Sequence, residues 1–378
     1  MRIATNLTRD YLGGITRSNI SFIKSLEKDN DKIIGIELNS KRYTEGPKIF
    51  KDIPSSLLEH HIINIHDISI KNTIKKAKSI KDIEKKFRPI INIVKKIFIK
   101  TKPDVLFLNG TYYIPWLISI AAYELNIPIV LRYAGVYTKE TENFKPKSRA
   151  FFNKIEKSFK KRVRYLIFPS NLCKTTVEKE VYKDTINNFS IIPNSVNAPR
   201  ENFIMKSTER RIAAIGRWDN IKNFKTFFKI HKKLTKEGWI HDASFITNNA
   251  KIKNFPKTIN RFSEMTHNEL IKFYSAQGLI ISPSIFETFG NVPMEAACMG
   301  IPVLVSKNMG CAEILKTAGL ENMVISFDDI KKVIERVKLL CGQYILPKQM
   351  NNLRKILNPQ VINAEIISIL RNNIDSNL

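Results

Sequence analysis

The sequence predicts an α/β protein of two domains, each a parallel sheet flanked by helices. Three observations lead there. The chain has 378 residues, enough for two hydrophobic cores. Short apolar runs without polar alternation, the pattern of strands buried on both faces, recur along the chain with helical stretches between them. One segment displays the unit openly. Leu279–Ile281 is a buried strand and Ser282-Pro283-Ser284 a turn, and Val292–Met299 is a helix with Pro293 in its first turn and Gly300 at its end. Pro302–Val305 is the next strand, so the segment is a strand–loop–helix–strand unit of an open sheet.

Taken in order, Arg2–Leu7 reads as the first strand. Tyr11-Leu12-Gly13-Gly14-Ile15-Thr16 is a glycine turn into a helix ending near Lys28. The full Gly-x-Gly-x-x-Gly fingerprint is missing there, so a dinucleotide site has weak support. Asp29-Asn30-Asp31 precedes the strand Ile33–Leu38 and reads as a solvated turn. Lys71–Lys102 is helical in pattern and heavily basic, with Asp82 and Glu84 its only acids. Strands follow at Val105–Leu108, ending on Asn109-Gly110-Thr111, and at Ile127–Tyr133, ending on Arg132-Tyr133-Ala134-Gly135. Ser148–Arg164 is an amphipathic helix whose stripe, Phe152, Ile155, Phe159 and Val163, suits core packing. Tyr165–Phe168 is the next strand.

The second half repeats the alternation. Strands are expected at Arg211–Ile215, Ala243–Thr247, Ile259–Phe262, Leu279–Ile281, Val303–Val305 and Met323–Ser326. Helices are expected at Lys222–Lys236, His267–Ala276 and Asp329–Cys341, with a last one at Pro359–Arg371.

Hydrophobic content of 43% and charged content of 26% are those of a soluble globular chain. The longest uncharged apolar stretch, Ile114–Tyr123, is too short to span a bilayer. The N-terminus reads as a strand and not a signal peptide, so a cytoplasmic protein is expected. Cys173, Cys298, Cys311 and Cys341 lack Cys-x-x-Cys spacing and read as reduced thiols with no metal site. The formal charge of +27 points to a polyanionic partner: nucleic acid, anionic lipid or a phosphorylated substrate.

Two segments carry chemistry. In Phe286-Glu287-Thr288-Phe289-Gly290-Asn291-Val292-Pro293-Met294-Glu295, two carboxylates flank a glycine turn and a helix start. Free N–H groups at that start suit a phosphate. In Gly216-Arg217-Trp218-Asp219-Asn220-Ile221-Lys222-Asn223, a guanidinium and an ammonium sit between a strand end and a helix start, a pairing that fits a diphosphate.

Together these segments resemble the donor site of retaining glycosyltransferase family 4. That family pairs Glu, seven residues, Glu with a Gly-x-Pro-Val strand, and Gly-Arg with Lys-Asn at a helix start. Ile191-Ile192-Pro193-Asn194-Ser195-Val196-Asn197 likewise resembles its interdomain linker, with Ser195 and Asn197 replacing the usual Gly and Asp. The resemblance implies the GT-B fold: two Rossmann-like domains with parallel sheets facing an interdomain cleft, and a C-terminal helix crossing back to the first. It divides the chain into an acceptor-binding domain, residues 1–195 joined by 357–378, and a nucleotide-sugar-binding domain, 196–356. It implies that Glu287, Arg217 and Lys222 act in catalysis, and that Gly216, Thr288, Phe289, Gly290, Asn291, Val292 and Glu295 complete the donor site. Gly13, Gly14, Asn109, Arg132 and Tyr133 are the acceptor or cleft candidates. Arg132 or Tyr133 stands where the family often has a histidine, which this sequence lacks at that point. No cofactor and no metal are implied. The donor is a nucleoside-diphosphate sugar, the acceptor a glycan or lipid-linked molecule of cell-surface polysaccharide or lipopolysaccharide synthesis, and the reaction retains configuration. The clustered cations of the first half suggest peripheral attachment to anionic membrane.

Two other classes compete. A sugar-nucleotide epimerase or phosphorylase of the same fold would need acid–base residues in the cleft or a pyridoxal lysine, and neither signature is evident. A nucleic-acid-binding protein would explain the charge, but the basic runs lack interleaved aromatics and no recognition motif appears. No nucleic-acid partner is expected.

Overall fold

The computed structural model describes residues 1–8, 14–27, 31–39, 50, 53–65, 73, 77, 79–142, 144–197, 210–248 and 252–375. The chain divides into two compact units: Met1–Pro193 with Pro359–Leu378, and Asn194–Asn358.

The first unit is built on a seven-stranded sheet. Its strands are β1 (Arg2–Leu7), β2 (Lys32–Asn39), β3 (Leu58–Asn64), β4 (Val105–Asn109), β5 (Ile129–Arg132), β6 (Tyr165–Phe168) and β7 (Phe189–Ile191), in the order β3-β2-β1-β4-β5-β6-β7. Every pairing is parallel. The central strands β4, β5 and β6 are mostly apolar, as burial on both faces requires, while β1 and β2 also bury Thr5, Asn6 and Glu37. β3 escaped the sequence reading because Glu59, His60 and His61 break its apolar run. As an edge strand it needs no unbroken run, and His60 finds a partner in Glu37 at 2.9 Å. Helix Ile80–Thr101 starts later than the basic pattern suggested. Ser79 caps it, accepting from the Asp82 N–H while the Asp82 carboxylate accepts from the Ser79 N–H. Residues 71, 72, 74–76 and 78 of the expected helix lie outside the described residues. The expected helix at Ser148–Arg164 runs as Pro146–Ser158 plus a 3-10 turn at Phe159–Lys161. Its stripe packs inward, with Ile155 and Phe159 buried and Phe152 and Val163 half-buried.

The last helix, Pro359–Asp375, belongs to this first unit. Ile362, Ile366, Ile367 and Leu370 join Ile3, Leu7, Phe22 and Val105 in one apolar cluster. The Asn363 amide donates to the Ser21 carbonyl of helix Gly14–Ser25 at 3.1 Å. That docking corrects the expectation for Asp31, which is not a solvated turn residue. It is 6% exposed, pairs with the Met1 amino group at 2.7 Å and takes Arg371 of the last helix at 3.1 Å. Asp29 and Asn30 lie outside the described residues.

The second unit carries a six-stranded parallel sheet: β8 (Arg211–Ile215), β9 (Asp242–Ile246), β10 (Asn260–Phe262), β11 (Leu279–Ser282), β12 (Val303–Ser306) and β13 (Val324–Ile325), ordered β10-β9-β8-β11-β12-β13. Its helices include Phe224–Lys236, His267–Ser275, Asn291–Cys298, Cys311–Thr317, Ile330–Leu340 and Pro347–Ile356. In each unit the order reverses between two neighbouring strands, β1 and β4 in the first, β8 and β11 in the second. Loops leaving such a pair diverge, which opens a crevice at the strand carboxyl ends.

Candidate functional site

In the second unit, the two chemistry-bearing segments are the loops that leave β8 and β11, so the strand-order reversal brings them together. Gly216 follows β8 directly with φ +153, and a Cβ there would meet the Phe224 ring at 3.1 Å. Asp219 caps the turn at Asn220–Lys222 by accepting from the Ile221 N–H. Asn223, left-handed at φ 52, turns the chain into helix Phe224–Lys236. The Ile285 N–H donates to the Ile221 carbonyl at 2.8 Å, which ties the two loops to each other.

Across that tie, Lys222 Nζ stands 2.9 Å from Glu287 Oε2, with the two side chains 23% and 18% exposed. The other carboxylate oxygen accepts from the hydroxyl of buried Ser284 at 2.5 Å. Glu287 is therefore held from two sides yet still reaches solvent. Arg217 is exposed on the same loop as Lys222.

The Glu287–Gly290 stretch is fixed by neighbouring backbone. Glu287 N–H donates to Asn308 O at 3.1 Å, Gly310 N–H to Glu287 O at 3.0 Å, and Cys311 N–H to Phe289 O at 2.7 Å. Gly290 has φ +110, and a Cβ on it would stand 2.7 Å from Met309 Cε and 2.9 Å from Cys311 Sγ. Only glycine fits both the angle and the space. Helix Asn291–Cys298 starts from it, and Asn194 donates to Asn291 Oδ1 at 2.9 Å. The first N–H groups of that helix have no intrahelical acceptor and form a partial positive charge beside Glu287. Thr288 and Phe289 are buried, while Val292 is half-buried against the core. Glu295, half-buried one turn into the helix, accepts from the hydroxyl of buried Tyr274 at 3.1 Å. Burial pushes the Cys298 thiol up to about 12 and Cys311 well above its ordinary value, so both are inert.

The first unit treats its candidates differently. Gly13 lies outside the described residues, and Gly14 is the first residue of its helix. Asn109, ending β4, is 2% exposed and is used internally. Its N–H donates to Asn6 Oδ1 at 2.8 Å, its carbonyl accepts from Asn6, and its amide donates to Asn19. Arg132 is 4% exposed, donates to Ser18 Oγ and to the Pro193 carbonyl, and burial lowers its pKa to about 10. Tyr133 is fully buried, stacked on Phe168 with its hydroxyl on Tyr182 at 3.2 Å. As the chain stands, Tyr133 is a core residue with its ring and hydroxyl both engaged internally. The strand end carried it inward because side chains alternate faces and the sheet is covered on both.

Three residues that sequence reasoning missed organise these loops. Ser284 and Tyr274 orient the two carboxylates of the second unit. In the first unit, Glu156 is fully buried and accepts from Tyr137 N–H at 2.9 Å, Thr138 N–H at 2.8 Å, Thr138 Oγ1 at 2.7 Å and Thr111 Oγ1 at 2.9 Å. A lone acid next to the apolar stripe of a lysine-rich helix was the available signal for it. Among the described residues, no three His, Cys, Asp or Glu side chains cluster as a metal set would, and no helix is long and apolar enough to cross a membrane.

Comparison with known proteins bears on this geometry. Residues 197–355 match the family model described as glycosyl transferases, group 1. A protein of the cps region of Klebsiella pneumoniae is 32% identical over 69 residues, 18% of this chain and 19% of that protein. The lipopolysaccharide core biosynthesis mannosyltransferase LpsB of Rhizobium meliloti is 34% identical over 71 residues, 18% of this chain and 20% of that protein. These sequence matches thus span about a fifth of each relative. Solved structures are similar over the whole length. Sucrose-phosphate synthase of Thermosynechococcus elongatus gives a TM-score of 0.73 at 13% identity, covering 100% of both chains. The lipopolysaccharide outer core galactosyltransferase WaaB gives 0.66 at 14%, also covering 100% of both. The fold shared with them is GT-B, two Rossmann-like parallel-sheet units with the C-terminal helix on the first.

Proposed function

Because the chain belongs to the group 1 glycosyltransferases, we propose that it moves a sugar from a nucleoside-diphosphate sugar to a glycan or lipid-linked acceptor, with retention and without a metal. The observation that carries the reading is the Lys222–Glu287 pair, 2.9 Å apart beside the start of helix Asn291–Cys298. Departure of the nucleoside diphosphate develops negative charge on its phosphates, and catalysis needs that charge met by pre-placed donors. Arg217, Lys222 and the first N–H groups of the helix would meet it. Glu295, steadied by Tyr274, would hold the ribose hydroxyls. Glu287 would hydrogen-bond the donor sugar near the reacting carbon, with Lys222 transferring its contact from carboxylate to phosphate as the donor enters. Configuration would be retained through same-face attack, a leaving-phosphate oxygen taking the acceptor's proton. A relative's name, the Rhizobium lipopolysaccharide mannosyltransferase, and the Klebsiella relative's cps-region origin support an acceptor in cell-surface polysaccharide or lipopolysaccharide synthesis.

The same reading places the enzyme at the inner face of the cell membrane. Helix Ile80–Thr101 exposes Lys81, Lys85, Lys86, Lys96 and Lys100, while its Arg88 and Lys95 are occupied by Glu124. Between the free lysines, Ile93 is 43% and Ile99 59% exposed. Cations interleaved with apolar side chains suit an anionic lipid surface.

Thermal-shift screening against a nucleotide-sugar panel in EDTA, followed by hydrolysis assays without acceptor, tests the proposal. One or a few nucleotide sugars should stabilise the protein and be slowly hydrolysed. Stabilisation that requires a divalent ion, or none by any nucleotide sugar, contradicts it.

A further inference from the structure

We propose that the second unit carries a separate binding site for a small organophosphate, a phosphate monoester borne on a compact ring, at the amino ends of its strands. The site is a cavity of about 320 Å³ between helix Phe224–Lys236 and the segment 252–259 that leads into β10. None of its lining residues belongs to the β8 or β11 loops, so the site stands apart from the transferase reading. β9 and β10 run parallel. Residues just before Asn260 therefore sit at the end of the sheet opposite the strand carboxyl ends. The helix supplies its middle and last turns, with Lys229 and Thr235 about 8 Å and 17 Å along its axis from Phe224.

Three contacts fix the two walls relative to each other. Phe255 packs edge-on to Phe228 of the helix at 5.3 Å and against Phe245 of β9 at 5.9 Å. His231, 4% exposed, lies 3.2 Å from Thr235 Oγ1 and shares a hydrogen bond with the Thr258 backbone across the cavity wall. The Ile259 N–H closes a turn on the Pro256 carbonyl at 3.2 Å. A cavity shaped in advance costs a ligand little ordering entropy.

The lining selects the ligand. Phe228, His231 and Pro256 are buried or half-buried and make the deeper, flat part. Burial lowers the His231 pKa, so its ring adds no charge there at neutral pH. Lys229 and Lys232 are exposed at the mouth, three residues apart and hence on one helix face. The helix carries Lys225, Lys229, Lys232, Lys233 and Lys236 and no acid. The nearby acids are engaged elsewhere: Glu237 pairs with Lys338 at 2.6 Å, and Asp242 accepts from the Asn260 amide at 2.7 Å. Like charges a turn apart repel, and an anion between them relieves that repulsion. A phosphate can accept from both ammonium groups while its ring fills the flat part. Small-molecule sites run from roughly 300 to 1,000 Å³, so this cavity suits a single ring. A long polyanion would engage the lysines and leave the cavity unused, and a neutral ring would do the reverse.

Calorimetric titration of the full chain tests this with phenyl phosphate, ribose 5-phosphate, inorganic phosphate and phenol. Wild type is compared with Lys222→Ala and with the double variant Lys229→Gln, Lys232→Gln, whose lysines are exposed and leave the core untouched. At least one ring phosphate should bind roughly ten-fold more tightly than inorganic phosphate or phenol. That affinity should fall by about ten-fold or more in the double variant, the loss of charge-assisted contacts, and persist in Lys222→Ala. Preference for phenyl phosphate or for ribose 5-phosphate identifies the ring as aromatic or sugar. Ring phosphates that bind no better than inorganic phosphate, or equally well in the double variant, overturn the proposal. So does binding lost in Lys222→Ala alone, which assigns the ligand to the donor loops. The nucleotide-sugar thermal shift of the double variant keeps the two readings distinct, since its retention leaves the transferase reading intact whichever way the ring phosphates behave.

Discussion

At the residue scale, the charges of the proposed donor site pair with each other: Lys222 bonds Glu287, and Ser284 holds the far side of that carboxylate. A donor phosphate must draw Lys222 away from Glu287. Glu287→Gln should therefore leave nucleoside-diphosphate affinity unchanged or higher while lowering turnover, because the amide competes less for the ammonium but serves the reacting carbon poorly. Paired calorimetry and hydrolysis assays check this; affinity and turnover falling together would contradict it. Tyr274→Phe removes one donor from Glu295 and should weaken nucleoside binding by about 1 kcal/mol with little change in turnover. A fall in turnover at unchanged affinity would remove Tyr274 from that role.

At the scale of elements, the loop that joins β11 to helix Asn291–Cys298 depends on Gly290. Alanine there meets φ +110 together with Met309 Cε at 2.7 Å and Cys311 Sγ at 2.9 Å. Such a substitution should cost on the order of 1–3 kcal/mol and shift the helix start, lowering both the melting temperature and donor binding. Unchanged melting would mean that the 308–311 loop yields easily. In the first unit, burial pushes the Glu156 carboxyl up, opposed by hydrogen bonds from Thr138, Thr111 and Tyr137. The folded state then holds the proton more tightly than the unfolded chain. Its contribution is complete below the usual 4.5 and is lost as pH rises through the raised folded value. The stability of wild type relative to Glu156→Gln should decline as pH climbs above that range, by denaturant titration at several pH values. A relative stability that grows with pH would mean that the four donors outweigh burial.

The same scale explains what the sequence disclosed. Apolar runs such as Leu279–Ile281 and Val303–Val305 became strands of the second sheet because period and burial agree there. Edge strand β3 and the short β7 carry no such run. Motif residues with a special backbone or charge, Gly290, Lys222 and Glu287, could be picked out by type and spacing. Tyr274 and Glu156 could not, since their partners are distant in sequence, and Ser284 reads as an ordinary turn residue until its bond to Glu287 is seen. Asn109, Arg132 and Tyr133 sit at strand ends as expected, yet burial commits them inward, and strand position alone does not report burial.

For the whole molecule, a formal charge of +27 and the exposed lysines of helix Ile80–Thr101 predict reversible attachment to anionic vesicles. Each such cation contributes about 1 kcal/mol near the surface, screened over a length of about 8 Å at physiological salt. Co-sedimentation should be strong with anionic lipid at low salt, weak with neutral lipid, and reduced by replacing Lys85, Lys86 and Lys96 with Gln. Binding indifferent to lipid charge would assign the lysines to solubility.

The central claim is that the β8 and β11 loops of the second unit form a metal-independent site for a nucleoside-diphosphate sugar. Calorimetric titration in EDTA, comparing the nucleoside diphosphate of the preferred donor with its free nucleoside, tests it most directly in wild type, Arg217→Ala and Lys222→Ala. Each substitution should weaken diphosphate binding by about 1.5–3 kcal/mol, the worth of a charge-assisted contact, and leave the nucleoside nearly unaffected. Equal losses for both ligands, or diphosphate binding abolished by EDTA in wild type, would contradict it.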